Sequence, residues 1–218
     1  MSKKIAFVDI ALIALAVTLL ITGFFKHVIQ THARDQLGGD VSVSRKNGES
    51  DLGIQAFFTM RALNRSHIMT VETKAKAKET EERPESKPVP VTLKVIDRAY
   101  PLSGKFKLED KTRPLTFASY AMGKEQGAAV SPSLLSKLNL APGENFLIGR
   151  TVFIAAAVIA NEPDHLAQDD DIPRVIISNR AFGALLKEGM YFENPQTFQV
   201  RATVSPDTDL LAWKQSFD

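Results

Sequence analysis

Hydrophobic positions along the chain form one long unbroken run and a succession of short ones. The long run is Ile5 to Phe25, IAFVDIALIALAVTLLITGFF, in which Asp9 is the only charge. A helix of that length rises about 30 Å, the thickness of a bilayer's hydrocarbon core. The run therefore predicts a membrane-spanning helix. A secretory signal has a shorter apolar core, about 7 to 15 residues, that ends at small residues. Here Lys26-His27-Val28 follows, and Thr31 and Ala33 lie beyond the apolar edge. A buried core helix is the third reading. No breaker occurs before Gly38-Gly39, so the helix is expected to extend to Gln36, giving an N-terminal unit of residues 1–36 and a globular unit of residues 37–218. Lys3 and Lys4 favour a cytoplasmic N-terminus, although Lys26, Arg34, Arg45 and Lys46 follow the run.

The shorter patterns have the periods of strands and surface helices. Val41 and Val43 alternate as in a half-buried strand, and Asn47-Gly48 makes a turn. Leu52, Ala56, Phe57, Met60 and Leu63 recur at steps that predict an amphipathic helix over Glu49 to Leu63, weakened at Gly53. Strands are predicted at His67 to Thr73 and at Val89 to Ile96, where Val89, Val91, Leu93 and Val95 alternate with Pro90, Thr92, Lys94 and Ile96. Between them Lys74 to Pro88, KAKAKETEERPESKP, has no large apolar residue to offset its ordering entropy. It is expected to be a disordered loop, with a mixed-charge partner patch as the alternative.

Further on, Tyr100 to Gly104 is turn-forming, Phe106 and Leu108 mark a short strand, and Arg113 to Gln126 reads as loop. After a strand at Ala128 to Val130, Ser131-Pro132 supplies an N-cap and first helical residue for a helix carrying Leu134, Leu135 and Leu138. Asn145 to Ile148 and Thr151 to Ile159 predict a hairpin across Gly149-Arg150. A polar loop, Asn161 to Ile172, leads to a strand at Arg174 to Ile177. Next comes a helix capped by Ser178 or Asn179, containing Phe182, Leu185 and Leu186 and ended by Gly189. A strand over Thr197 to Val204 turns Phe198, Val200, Ala202 and Val204 inward, and a helix after Pro206 carries Leu210, Leu211, Trp213 and Phe217. The fold class is α+β, one transmembrane helix followed by a mixed domain of small sheets and short helices.

Composition narrows the functions. A hydrophobic fraction of 44% can fill a core, and a net charge of +2 is too small for a nucleic-acid binder. The chain has no cysteine, which removes disulfides, thiolate-bound zinc and thiol catalysis. Gly104-Lys105 and Gly123-Lys124 are followed by Phe106 and Glu125, so neither ends a phosphate-binding loop, and no Gly-x-Ser-x-Gly or His-Glu-x-x-His occurs. His27, His32, His67 and His165 are scattered and read as surface residues. Glu162, Asp164 and Asp169-Asp170-Asp171 are the densest acidic group, but they lack the spacing and glycine of a calcium loop and read as a solvated loop, with Glu162-Pro163-Asp164 as turn chemistry. No catalytic, cofactor or metal residue is assigned, and no enzyme is expected.

Three blocks together resemble the FtsX-like permease subunits of ABC transporters, in their extracytoplasmic domain of the MacB type. They are His32 to Ser44 (HARDQLGGDVSVS), Lys94 to Leu108 (KVIDRAYPLSGKFKL) and Val130 to Asp164, with its helix, Pro-Gly turn, hairpin and Glu-Pro-Asp loop, followed by Pro173 to Ile177. The resemblance implies an inner-membrane subunit with a periplasmic globular part, a separate ABC ATPase, and possibly another permease chain as partner. Such permeases carry further membrane helices after this domain and a basic amphipathic helix before the first span, so the resemblance covers the amino-terminal part of one. A stand-alone, single-pass anchored binding or scaffolding protein is the alternative. In that case the helix after Pro206 packs back on the core. In a permease it is expected to expose Leu211 and Trp213.

Overall fold

The computed structural model describes residues 33–46, 52–81, 86–110, 121–122, 125–164 and 172–215. The run Ile5 to Phe25 lies outside them. Among the described residues no helix is long and apolar enough to cross a membrane.

Alternation dictates the sheet. Strands β1 (Val41–Lys46), β2 (Asn64–Ala77), β3 (Val89–Ile96), β4 (Lys107–Leu108), β5 (Ala121–Met122), β6 (Glu125–Val130), β7 (Asn145–Ile148), β8 (Thr151–Asn161), β9 (Arg174–Ser178) and β10 (Thr197–Thr203) form one sheet, ordered β1-β10-β2-β3-β9-β6-β8-β4. β7 pairs with both β2 and β8, so β2, β3, β9, β6, β8 and β7 close into a ring. Side chains of one parity fill it: Val71, Ala75, Val91, Leu93, Val175, Phe153 and Phe146 are all buried in one cluster. Two helices contribute to the same cluster. Helix α2 (Pro132–Leu138) adds Leu134 and Leu138, and α3 (Asn179–Lys187) adds Ala181 and Leu185. Here α1 is Leu52–Arg61 and α4 is Leu210–Gln215.

The other parity faces outward, and on it Ile68, Ile96, Ile176, Ala129 and Ile159 pack under Tyr100, Phe106 and Leu108 of the segment between β3 and β4. Beyond the ring, β10 and β1 carry a satellite core: Val200, Ala202 and Val204 meet Phe58 and Trp213.

Several expectations change. Residues Lys74 to Ala77 belong to β2 rather than to a disordered loop, because Ala75 and Ala77 pair with Ile148 and Phe146 and are small enough to be covered completely. Residues 82–85 of that expected loop lie outside the described set. β6 begins at Glu125, inside the stretch read as loop. Of residues 56–61 of α1, Phe58 is buried, whereas Met60, and Leu63 beyond the helix, both on the expected stripe, are exposed. Phe58 meets Trp213 edge-on at 5.3 Å, and that contact sets the helix's inward face. Ser131 makes no capping bond to α2; its Oγ instead accepts from Arg174 N at 2.9 Å. Ser178 does cap α3, accepting from Ala181 N. The last helix divides the two expectations, since Trp213 is buried while Leu210 and Leu211 remain exposed.

Candidate functional site

Lys94 lies in the middle of β3, where its neighbours Thr70 on β2 and Ile176 on β9 share its outward parity. Outward here does not mean solvent. The turn after β8 folds over this face, and Lys94 is only 6% exposed. Its Nζ donates to Tyr100 Oη at 3.0 Å, Glu162 Oε1 at 2.5 Å and Asp164 Oδ2 at 2.7 Å. The ammonium's three protons are all engaged.

Asp164 is the hub. Its Oδ2 also accepts from Arg201 Nη1 of β10, and its Oδ1 accepts from Tyr100 Oη at 2.5 Å. Arg201 further donates from Nη2 to Gln199 Oε1 at 2.9 Å. Glu162 Oε2 pairs with Arg174 Nε at 3.0 Å. Three cations and two carboxylates thus stand together on strands β3, β9 and β10 and the turn that covers them. Burial alone would raise the Asp164 carboxyl, but the charges of Lys94 and Arg201, with hydrogen bonds from Lys94 and Tyr100, outweigh it and hold the group at about 2. Burial, then the negative charges of Asp164 and Glu162, push the Tyr100 hydroxyl far above its ordinary range. Asp164 therefore stays ionised and Tyr100 protonated throughout the physiological range. Such a cluster fixes positions.

The cluster forms the floor of a pocket of about 630 Å³ on the outer face of β1, β10, β2, β3 and β9. Register explains the wall: Lys46 lies opposite Thr197, Thr197 opposite Thr70, and Thr70 opposite Lys94, all with one parity.

The same cluster receives the chain's entry into the domain. Residues 33–37 are helical. Asp35 Oδ1 accepts from Ser103 Oγ at 2.9 Å, and the helix ends at Gly38, whose φ of +67° suits glycine. A Cβ there would sit 2.5 Å from Arg201 Nη1. Gly104, at φ +81°, fits between Asp35 O and Pro163, and a Cβ would collide with the Pro163 ring. Asp40 then ties the entry to β10, with its N donating to Ala202 O at 2.8 Å and its Oδ2 accepting from Val204 N at 3.0 Å. Arg34 pairs with Asp40 at 2.6 Å. Only Gly38, Gly39 and Asp40 separate helix from sheet.

Sequence reading assigns no site residue, and it misplaces two of these. Glu162 and Asp164 are buried ion partners rather than members of a solvated loop, because Lys94 and Arg201 neutralise them under the turn. Asp169 to Asp171, His27, His32 and His165 lie outside the described residues. His67 is half-buried on β2, its backbone N donating to Asp97 Oδ2 at 2.7 Å. Among the described residues no group of acidic or histidine side chains is placed to hold a metal. The available signal for the cluster is a lysine between Leu93 and Val95 in a largely apolar strand, opposite in charge to Glu162 and Asp164 just after another apolar strand.

No family model and no curated protein matches the chain. Similar solved structures include a domain of a protein described as a permease from Porphyromonas gingivalis, with 9% identity and a TM-score of 0.49 over 82% of this chain and 81% of that one. The periplasmic region of MacB from Actinobacillus actinomycetemcomitans matches with 12% identity and a TM-score of 0.48 over 82% and 81%. The extracellular domain of the noncanonic ABC-type transporter YknZ from Gram-positive bacteria matches with 11% identity and a TM-score of 0.45 over 75% and 76%.

Proposed function

We propose that the chain is a permease-type membrane subunit of an ABC transporter. The run Ile5 to Phe25 anchors it in the inner membrane, and its globular part, outside the cytoplasm, passes ATP-driven movement from a separate ATPase to a substrate or partner. The observation that carries this reading is the close packing of the chain's entry beside the buried ion cluster: Asp35 of the helix, residues 33–37, accepts from Ser103, Gly38 lies against Arg201, and Gly104 fits between Asp35 O and Pro163. Packed elements move as units, so a helix joined this tightly can shift the sheet it enters. The three sequence blocks that resemble FtsX-like permeases supply the transporter context.

One observation favours the second reading, a stand-alone anchored binding or scaffolding protein. Trp213 packs back against Phe57 at 4.7 Å, as a self-contained domain requires. Extraction of tagged full-length chain from its native membranes separates the two. The permease reading expects retention after alkaline washing and copurification of an ATP-hydrolysing chain in mild detergent. Retention without an ATPase supports the second reading, and recovery from the aqueous fraction overturns both.

A further inference from the structure

Exposed large apolar side chains gather at one end of the sheet. Leu186 on α3 and Tyr191 ahead of β10 stand apart, but Met60, Leu63, Leu210 and Leu211 are exposed together. Topology brings them there. β10 ends at Thr203, which pairs with Asn64 at the start of β2, and Ala202 pairs with Val41 at the start of β1. α1 runs into that start of β2 through Leu63, whose N donates to Thr203 O at 2.8 Å, and α4 follows the end of β10. The last turn of α1, with Met60, and the first turn of α4, with Leu210 and Leu211, therefore stand at the same end. Helical spacing aligns them: Met60 follows Phe57 by three residues, Leu210 precedes Trp213 by three, and the rings of Phe57 and Trp213 meet at 4.7 Å.

Single apolar residues on a surface are ordinary, whereas a group of them marks a contact. What covers this one follows from where the chain enters. Asp40 N donates to Ala202 O and its Oδ2 accepts from Val204 N, so the entry, which includes exposed Leu37, joins at this same end. Lys26 to His32 alone separate Ala33 from the apolar run Ile5 to Phe25, a stretch that spans at most roughly 30 Å even when fully extended. This end is therefore the one that a bilayer holding the run must lie nearest. The rim suits anionic headgroups. Arg61, Arg65 and Lys214 are exposed beside the apolar group, and Arg61 lies over the Phe57 ring at 4.8 Å. Of the two acids in the turn before α4, Asp209 caps the helix, accepting from Leu211 N and Ala212 N, and Asp207 is exposed. Aliphatic side chains bordered by long basic ones are the composition of a surface that lies in a membrane interface.

We infer that this end of the domain seats on the bilayer itself. Met60, Leu63, Leu210 and Leu211 enter the boundary between headgroups and acyl chains, about 5–10 Å deep, and Arg61, Arg65 and Lys214 lie among anionic phosphates. The inference rests on the anchor reading of Ile5 to Phe25 and goes beyond it, since a single span tethers a domain and a second contact fixes its tilt.

Spin-label accessibility on the full chain, in nanodiscs of phosphatidylcholine and phosphatidylglycerol, tests it, because the chain has no cysteine of its own. Labels at Leu63→Cys and Leu211→Cys are expected to collide with oxygen, which concentrates in lipid, and to be shielded from a water-soluble nickel chelate. A label at exposed Tyr191→Cys is expected to behave oppositely, leaving the oxygen-to-nickel ratio severalfold higher at the first two sites. Adding Met60→Ser and Leu210→Ser, both at exposed positions, is expected to bring the Leu63→Cys ratio down toward that of Tyr191→Cys. Phosphatidylcholine alone is expected to lower it as well, and an unchanged ratio there would overturn the part given to the basic rim. A label at Ala14→Cys, in the apolar run, reports on the anchor separately. Lipid behaviour at Ala14→Cys with aqueous behaviour at Leu63→Cys and Leu211→Cys would overturn the seating alone. Aqueous behaviour at all three would overturn the anchor reading and the seating with it. Shielding from both colliders at Leu63→Cys and Leu211→Cys would assign the face to a protein contact, a second copy if spin–spin broadening accompanies it, and would equally overturn the seating.

Discussion

Asp164 accepts from Lys94, Tyr100 and Arg201, and its ionisation is therefore tied to folding. Its carboxyl titrates at about 2 in the folded chain, below the unfolded value of about 3.9. A depressed carboxyl contributes stability that is present above the unfolded value and is lost as pH falls through the folded one. Urea unfolding between pH 5 and pH 2 is expected to lose on the order of 2 kcal/mol through this group. Asp164→Asn is expected to remove that acid limb and to cost about 3–5 kcal/mol at pH 7, because buried Arg201 loses its carboxylate partner and Lys94 keeps only Glu162 of its two. Tyr100 shifts upward, so its contribution is present below about pH 10 and is lost as pH rises further. Tyr100→Phe is expected to cost about 1–3 kcal/mol at neutral pH and to flatten alkaline unfolding. At this scale the sequence was only partly legible. The strand Val89 to Ile96 has the bounds its alternation predicts, but nothing local tells that Lys94 will be roofed by Glu162 and Asp164, 68 and 70 residues away.

Elements with strong periodicity and turn chemistry follow the sequence closely. The hairpin of β7 and β8, the Pro132 helix and the Ser178-capped helix stand where their residues place them. Elements whose burial depends on distant partners do not. Ala75 and Ala77 look polar by context until β7 covers them, and Phe58 is selected over Met60 by Trp213. Phe58→Ala is expected to destabilise by about 3–5 kcal/mol and to shift emission of the chain's single tryptophan to the red, since Trp213 loses its buried wall. Glycines test the entry junction. Gly104→Ala is expected to cost about 1–3 kcal/mol, because it combines a left-handed φ with a collision at Pro163. Gly183→Ala, in α3 with open space around it, is expected to stabilise by about 0.5–1 kcal/mol in the same urea assay.

At the scale of the molecule, a ring of strands holds the main core, and β10 and β1 extend the sheet to the point where the chain enters. Polarity alternation announced an α+β domain, but ring closure rests on pairings far apart in sequence, such as Ala77 with Phe146. The central claim is that the entry helix and this sheet are one mechanical body, locked by Asp35, Gly38, Arg201 and Asp164. The native chain has no cysteine, so Gln36→Cys and Tyr191→Cys, both at exposed positions, can carry a pair of spin labels without background. Pulsed dipolar spectroscopy on the full chain is expected to give one narrow distance distribution, broadened when Asp164→Asn is added. A broad distribution in the labelled native background, or a narrow one that Asp164→Asn leaves unchanged, would contradict the claim.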